Sequence, residues 1–267
     1  MNLYQQVETA LLESEPPRKC RLVEEIHADW KDGLLETDPG LPIQAIDDPG
    51  RPHLPLLVKP RLLRRRTTAS EEGRVCFLHA FAHIEFNAIN IALDAVYRFR
   101  SLPEKFISDW LLVASEEARH FSLLNSELVR RGSHYGAYEA HRGLWDMVCK
   151  TRGDELHRMA LVPRVMEAQG LDVTPGLIEK FSQVGDTATV GILEIIYRDE
   201  IGHVRIGNDW FQFLCEQRSV DADKTFRELI GLYLGGKLRG PFNWPARIEA
   251  GFKATELEYL ERTVIRP

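Results

Sequence analysis

In Asp199-Glu200-Ile201-Gly202-His203 a carboxylate and an imidazole stand three residues apart, inside a helical pattern that runs from about residue 186 to 218. A Glu and a His at this spacing sit about 60° apart around an α-helix, so both leave the same face and can share one metal ion. Steps of three and four from Glu200 give Leu193, Ile196, Tyr197, Val204, Gly207, Phe211 and Leu214. The result is a core stripe with two ionisable groups at its centre. Groups of that kind need partners in the interior.

The chain supplies them. Glu116-Glu117-Ala118-Arg119-His120 is a second Glu-x-x-His, on a stripe of Trp110, Val113, Ala114, Phe121, Leu124 and Leu128. Before each such helix comes one with a single Glu on its apolar side. Glu85 stands among Leu78, Phe81, Ala82, Ala88, Ile89 and Ala92, and Glu167 closes Leu161-Val162-Pro163-Arg164-Val165-Met166-Glu167. Glu85 precedes Glu117 by 32 residues and Glu167 precedes Glu200 by 33, so the two halves form a helix-pair repeat. The candidate metal ligands are Glu85, Glu117, His120, Glu167, Glu200 and His203. Glu155 and Glu179 are rival carboxylates for the position of Glu167, which follows the helix-kinking Pro163 by four residues.

Four ionised carboxylates in one core cost several kcal/mol each, as an order of magnitude, unless paired. Two divalent cations neutralise them, with both imidazoles ligating in the neutral form. Oxygen-rich ligation with one nitrogen per metal suits iron or manganese better than zinc. The zinc-protease motif is excluded, because it needs His directly before the Glu, where Glu116 and Asp199 stand. Those two residues are candidates for the carboxylates that orient the ligating imidazoles. Tyr197, one turn before Glu200, is either a hydroxyl with a hydrogen-bond partner or a catalytic, redox-active neighbour of the metals.

The rest of the chain sets bounds. With 267 residues, 44% hydrophobic and 28% charged, and no apolar run near eighteen residues, a soluble globular protein is expected, with no membrane partner. The N-terminus lacks a basic flank and apolar stretch, and Cys20, Cys76, Cys149 and Cys215 form no Cys-x-x-Cys pair. Both features point to the cytoplasm and to reduced thiols. A formal net charge of −6 argues against a general nucleic-acid binder. The dense basic run Lys59, Arg61, Arg64, Arg65 and Arg66 is better explained as a solvated or acid-pairing face than as an RNA contact.

The expected architecture is all-α: a helical and Pro-rich arm over residues 1–69, a four-helix bundle over 70–219 and a helical extension over 220–267. Within the arm, helices span about Leu3–Leu12 and Arg18–Lys31, and the Pro-rich remainder wraps the bundle. The four bundle helices run from Ser70 to Arg100, from Pro103 to Gly132, from Asp154 to Gln169 with a stop at Gly170, and from Asp186 to about Arg218. Short helices are expected around Leu144–Thr151 and after Thr174-Pro175, and two more over Asp221–Leu234 and Pro245–Glu261. His79 and His83 share a face with Asn87, Asn90 and Asp94, away from Glu85, which predicts a polar surface or a contact with the arm. Gly202, off the ligand face, is assigned to close helix packing.

With these segments in view, the chain resembles the ferritin-like superfamily, whose di-metal carboxylate members use one Glu from each of two helices and Glu-x-x-His from the other two. The segments His79–Glu85, Asp109–Phe121, Arg158–Pro175 and Asp199–Val204 look like one branch of it, the bacterial family called domain of unknown function 455. A more distant likeness links it to di-iron tRNA hydroxylases. The resemblance implies two iron ions, with manganese or a mixed pair also compatible. Glu117 and Glu200 would bridge, Glu85 and Glu167 would be terminal, and His120 and His203 would give one nitrogen to each metal. It also implies a non-haem di-iron oxidase or oxygenase, with dioxygen, an electron donor and a small-molecule or modified-nucleoside substrate as partners. The alternative is a ferritin-like iron-handling protein without an organic substrate. Oligomeric state is not encoded in these motifs. Substrate access is expected beside Glu167, where Pro163 and Gly170 interrupt the third helix.

Overall fold

The computed structural model describes residues 2–38, 40–64, 66–236 and 238–265, with side chains through residue 262. Arg65 of the basic run lies outside the described residues. Among the described residues the secondary structure is helical apart from one two-stranded pairing and two isolated bridges, and the chain divides into two compact units, residues 1–146 with 184–192, and residues 147–183 with 193–267.

The first unit is built on α1 (Leu3–Leu12), α2 (Pro16–Lys31), α3 (Glu71–Arg98) and α4 (Glu104–Arg130). Asn2 caps α1 by accepting from Gln5 N at 3.2 Å, and Leu3, Tyr4, Val7, Ala10 and Leu11 are buried. The two prolines that separate α1 from α2 sit inside the first turn of α2, where no helical N–H is needed. Ser70 caps α3 through Gly73 N at 3.2 Å, and residues 99–103 turn the chain back into α4. By length and composition α3 could cross a membrane, contrary to the expected absence of such a segment, but 78% of its apolar window is buried inside the fold. The Pro-rich segment is fastened to these helices: Tyr97 Oη accepts from Gln44 N at 2.9 Å, and Arg100 donates to Leu41 O at 2.7 Å.

The face carrying His79 and His83 is no polar surface. His79, His83, Asn87, Asn90 and Asp94 are all buried beneath the segment that follows α4 and the N-terminal helices. His79 Nε2 accepts from Gly136 N at 2.9 Å. The two ring nitrogens of His83 lie 2.9 Å from Tyr135 Oη and from His141 O. Asn90 Oδ1 accepts from Lys19, whose ammonium, fully buried, also donates to Gly50 O at 2.8 Å and Leu11 O at 3.1 Å. Of the two expectations for this face, the contact with the arm is the one that Lys19 and Asn90 realise, and the partners of His79 and His83 lie more than fifty residues away in sequence.

In the second unit Asp154 caps α6 (Glu155–Leu161), after α5 (Gly143–Lys150), by accepting from Leu156 N at 2.8 Å. A π-helical segment, Val162–Glu167, follows and leads directly into α7 (Ala168–Gln183). Pro163 has no N–H to give and its ring crowds the preceding turn, so the helix widens, and Ala168 N–H reaches back five residues to Pro163 O. The stop expected at Gly170 does not occur. One glycine costs a helix only about 1 kcal/mol, and the carbonyl of Leu171, which Pro175 deprives of its helical donor, accepts instead from Asn243 Nδ2 at 3.0 Å. Helix α8 (Thr187–Gln217) begins after Asp186, which accepts from Thr189 N at 3.2 Å.

Helix α9 (Ala222–Leu234) is capped by Asp221. The single helix expected over Pro245–Glu261 is two, α10 (Trp244–Glu249) and α11 (Ala254–Thr263). They part at Gly251, whose φ of +90° ends α10 and whose carbonyl accepts from Asn208 Nδ2 at 2.9 Å. Strands β1 (Leu238–Arg239) and β2 (Val264–Ile265) pair in parallel. Gly202 is exposed, with open space where a Cβ would stand, so it is not a packing glycine. Gly207 is: a Cβ there would come within 2.2 Å of Pro163 Cβ.

Candidate metal centre

Glu85 lies in the middle of α3, and Glu117 and His120 lie on successive turns of α4. Each Glu is 16 residues from position 101, so the fold at residues 99–103 brings them level. The stripes around them are buried as the periodicity requires: Leu78, Ala82, Ile89, Trp110, Ala114, Phe121 and Leu124 are at most 2% exposed. Glu85, Glu117 and His120 are equally buried, and each offers one ligand atom within 4.8 Å of the others. His120 Nδ1 is 3.3 Å from Glu85 Oε2 and 3.4 Å from Glu117 Oε2.

The electrostatics call for a cation. Burial, and then the adjacent charge of Glu117, hold the Glu85 carboxyl well above its usual range. Burial opposes charge on His120, yet its hydrogen bonds and charge contacts with Glu117 and Glu85 outweigh that and push it up to about 11. Two carboxylates brought together in a dry core thus favour a positive charge beside them. A metal ion would supply that charge while leaving the imidazole neutral. The residues present therefore fit a transition-metal ion.

The second unit holds the other candidates. Glu200 and His203 occupy successive turns of α8, with His203 Nδ1 3.9 Å from Glu200 Oε2. His203 is buried and the Glu200 side chain is 12% exposed. Glu167 is the last residue of the π segment and is half-buried. Of its rivals, Glu155 accepts from Arg218 at 2.6 Å, and Glu179 is exposed. Tyr197 is half-buried, and its hydroxyl accepts from Asn243 Nδ2 at 2.9 Å. Asp199 accepts from Arg198 Nε at 3.1 Å. Glu116 is half-buried on α4, where its charge acts on His27 of α2.

The fold and site define an all-helical protein with a buried Glu/His cluster able to hold a metal ion. The chain belongs to the family described as "Protein of unknown function (DUF455)", whose model matches residues 12–258. It is similar to a protein of Haemophilus influenzae described as an uncharacterized protein, 47% identical over 274 residues, covering 96% of this chain and 93% of that one. No solved structure matches it.

Proposed function

We propose that this protein is a ferritin-like di-metal carboxylate enzyme. In this reading Glu85, Glu117, His120, Glu167, Glu200 and His203 hold two metal ions, iron first among them, and the protein activates dioxygen to oxidise or hydroxylate an organic substrate. The observation that carries it is the buried Glu85, Glu117 and His120 cluster, which has the composition and spacing of one half of such a site. The second Glu-x-x-His, at Glu200 and His203, repeats that half in sequence order. The metals would supply the reducing electrons and Lewis acidity. The chain's own part is to hold the ligands, exclude water with the apolar stripes and fix nearby polar groups. The Asn243 contact does this for the Tyr197 hydroxyl. The thiols of Cys20, Cys76, Cys149 and Cys215 suit a reducing compartment, the cytoplasm.

Two measurements test the reading. Protein purified from cells grown with iron and manganese should carry up to about two transition ions per chain. Full metal content in a Glu117→Ala, Glu200→Ala double variant would remove the site. Anaerobically reduced protein mixed with oxygenated buffer should consume about one dioxygen per metal pair and then stop until reductant is added. Sustained oxidation of excess ferrous ion, with mineral retained and no reductant required, would replace the enzyme with an iron-handling protein.

A further inference from the structure

Three residues before Glu167, the π segment carries a group that the metal reading leaves unused. Arg164 is fully buried. Its Nη2 donates to Glu256 Oε1 at 2.5 Å, and the rings of Phe226, Phe211 and Phe252 surround its Cζ at 4.0, 4.2 and 4.9 Å. Its Nε and Nη1 are buried and have no hydrogen-bond partner. Burial holds this guanidinium below its ordinary value, against the pull of Glu256.

Arg164 lines a cavity of about 10 Å³ together with Gln169, Arg239, Arg247, Val165 and Leu238. Three guanidinium groups meet there and no carboxylate lines the space among the described residues. Arg247 is already matched, donating to both oxygens of Asp172 at 2.9 and 2.7 Å. Glu256 matches Arg164, and its other oxygen accepts from Lys253 N at 2.9 Å. Arg239 is exposed, so the group as a whole carries one positive charge more than its two acids cancel.

We propose that this cavity is a binding site for the carboxylate group of a small monocarboxylate. One carboxylate oxygen enters the cavity and accepts from Arg164 and Gln169, Arg239 supplies the countercharge, and the apolar body of the ligand lies against Val165 and Leu238. A space that holds about one oxygen-sized atom takes one oxygen of a planar carboxylate, whose single charge matches the one unmatched guanidinium, whereas phosphate would bring more negative charge than the site offsets. Guanidinium groups suit the planar acceptor in any case.

Propionate tests it, with full-length protein as purified, by calorimetric titration and thermal shift against chloride and phosphate at matched ionic strength. Saturable binding of propionate and a matching rise in melting temperature are expected, with neither produced by phosphate. Arg239→Gln changes an exposed residue and should fold. It should weaken propionate about tenfold, the loss of one charge-assisted contact, while metal content stays at the wild-type level, so that the outcome is independent of the metal reading. Arg164→Lys, which keeps the charge and loses the planar fork, should weaken it further. Absence of propionate binding, an equal response to chloride, or equal affinity in wild type and Arg239→Gln would each overturn the assignment.

Discussion

The two Glu-x-x-His turns are equivalent in sequence and unequal in structure. On α4, Glu117 and His120 are 3.4 Å apart and sealed, with Glu85 of α3 closing the group. On α8, Glu200 and His203 are 3.9 Å apart and the Glu is part-exposed. The helices that precede the two turns differ as well. Helix α3 is regular over its 28 residues, so the height of Glu85 is set by helix geometry alone. The helix carrying Glu167 is widened by Pro163, and its carboxylate stands at the last position of a π segment. Irregular turns of this kind recur where ligands must be admitted. The first half thus presents a sealed ligand group, and the second a part-exposed Glu-x-x-His turn and a carboxylate at the end of a widened helix.

The largest expected effect is on metal content. Glu117→Ala should lose most bound metal, while Glu167→Ala should keep more of it. Equal losses, measured by elemental analysis, would erase the proposed division between a rigid and an accommodating half. Chelation acts on stability by mass action, about 4 kcal/mol for a ligand present at a thousand times its dissociation constant. A melting temperature unchanged after verified metal removal would mean that the carboxylates are satisfied without a metal ion.

The next effect concerns the rigid half alone. Burial pushes His79 and His83 down to about 4, so both are neutral in the fold where an unfolded chain has already protonated them. Between pH 6.5 and 4 the unfolded state therefore binds more protons. The contribution of these residues is complete above pH 6.5 and lost as the pH falls toward 4. The ceiling is about 3 kcal/mol for each, from a depression of roughly 2.5 units. Urea midpoints at pH 7 and pH 5 should fall apart in the wild type and less so in His79→Gln, His83→Gln. An unchanged pH dependence in the double variant would remove these histidines as the packing behind α3.

Which of these features was legible in the sequence follows from where each residue finds its partner. Helix α1, the helix starts at Ser70, Asp186 and Asp221, and the stripe around Glu117 depend on neighbours three or four residues away, and pattern reading locates them. The burial of His79 and His83 depends on Gly136, Tyr135 and His141, and that of Lys19 on Asn90, 71 residues distant. No local periodicity carries that information. The π segment is hidden for another reason: Pro163 announces a disturbed helix, but kink and widening leave the same composition. Gly170 misleads because its small propensity cost is easily outweighed by the contacts that Asn243 and Arg247 make with the α7 residues Ala168, Leu171 and Asp172. Within the basic run Arg64 pairs with Glu72 at 2.8 Å, and Arg66 lies over the Phe77 ring.

The smallest effect probes the accommodating half where it is held in place. Pro163 produces the π segment and also packs against α8 at Gly207, four residues after His203, where an added Cβ would come within 2.2 Å of Pro163 Cβ and 2.3 Å of its Cγ. The pyrrolidine ring is rigid and joined to backbone, so it cannot turn aside as a long side chain would. Gly207→Ala should therefore force the π segment and α8 apart, at a cost of about 1–3 kcal/mol typical of overpacking. A helix interior otherwise prefers Ala by about 1 kcal/mol. A destabilised Gly207→Ala would thus mean that the contact outweighs propensity. Because Glu167 rides on the displaced segment and Glu200 on α8, metal content should fall together with stability. In Gly202→Ala, where the space is open, propensity should act alone and stabilise the protein slightly. Urea unfolding and elemental analysis of both variants decide the matter. A Gly207→Ala protein as stable and as fully metal-loaded as the wild type would show that the second half does not depend on this contact.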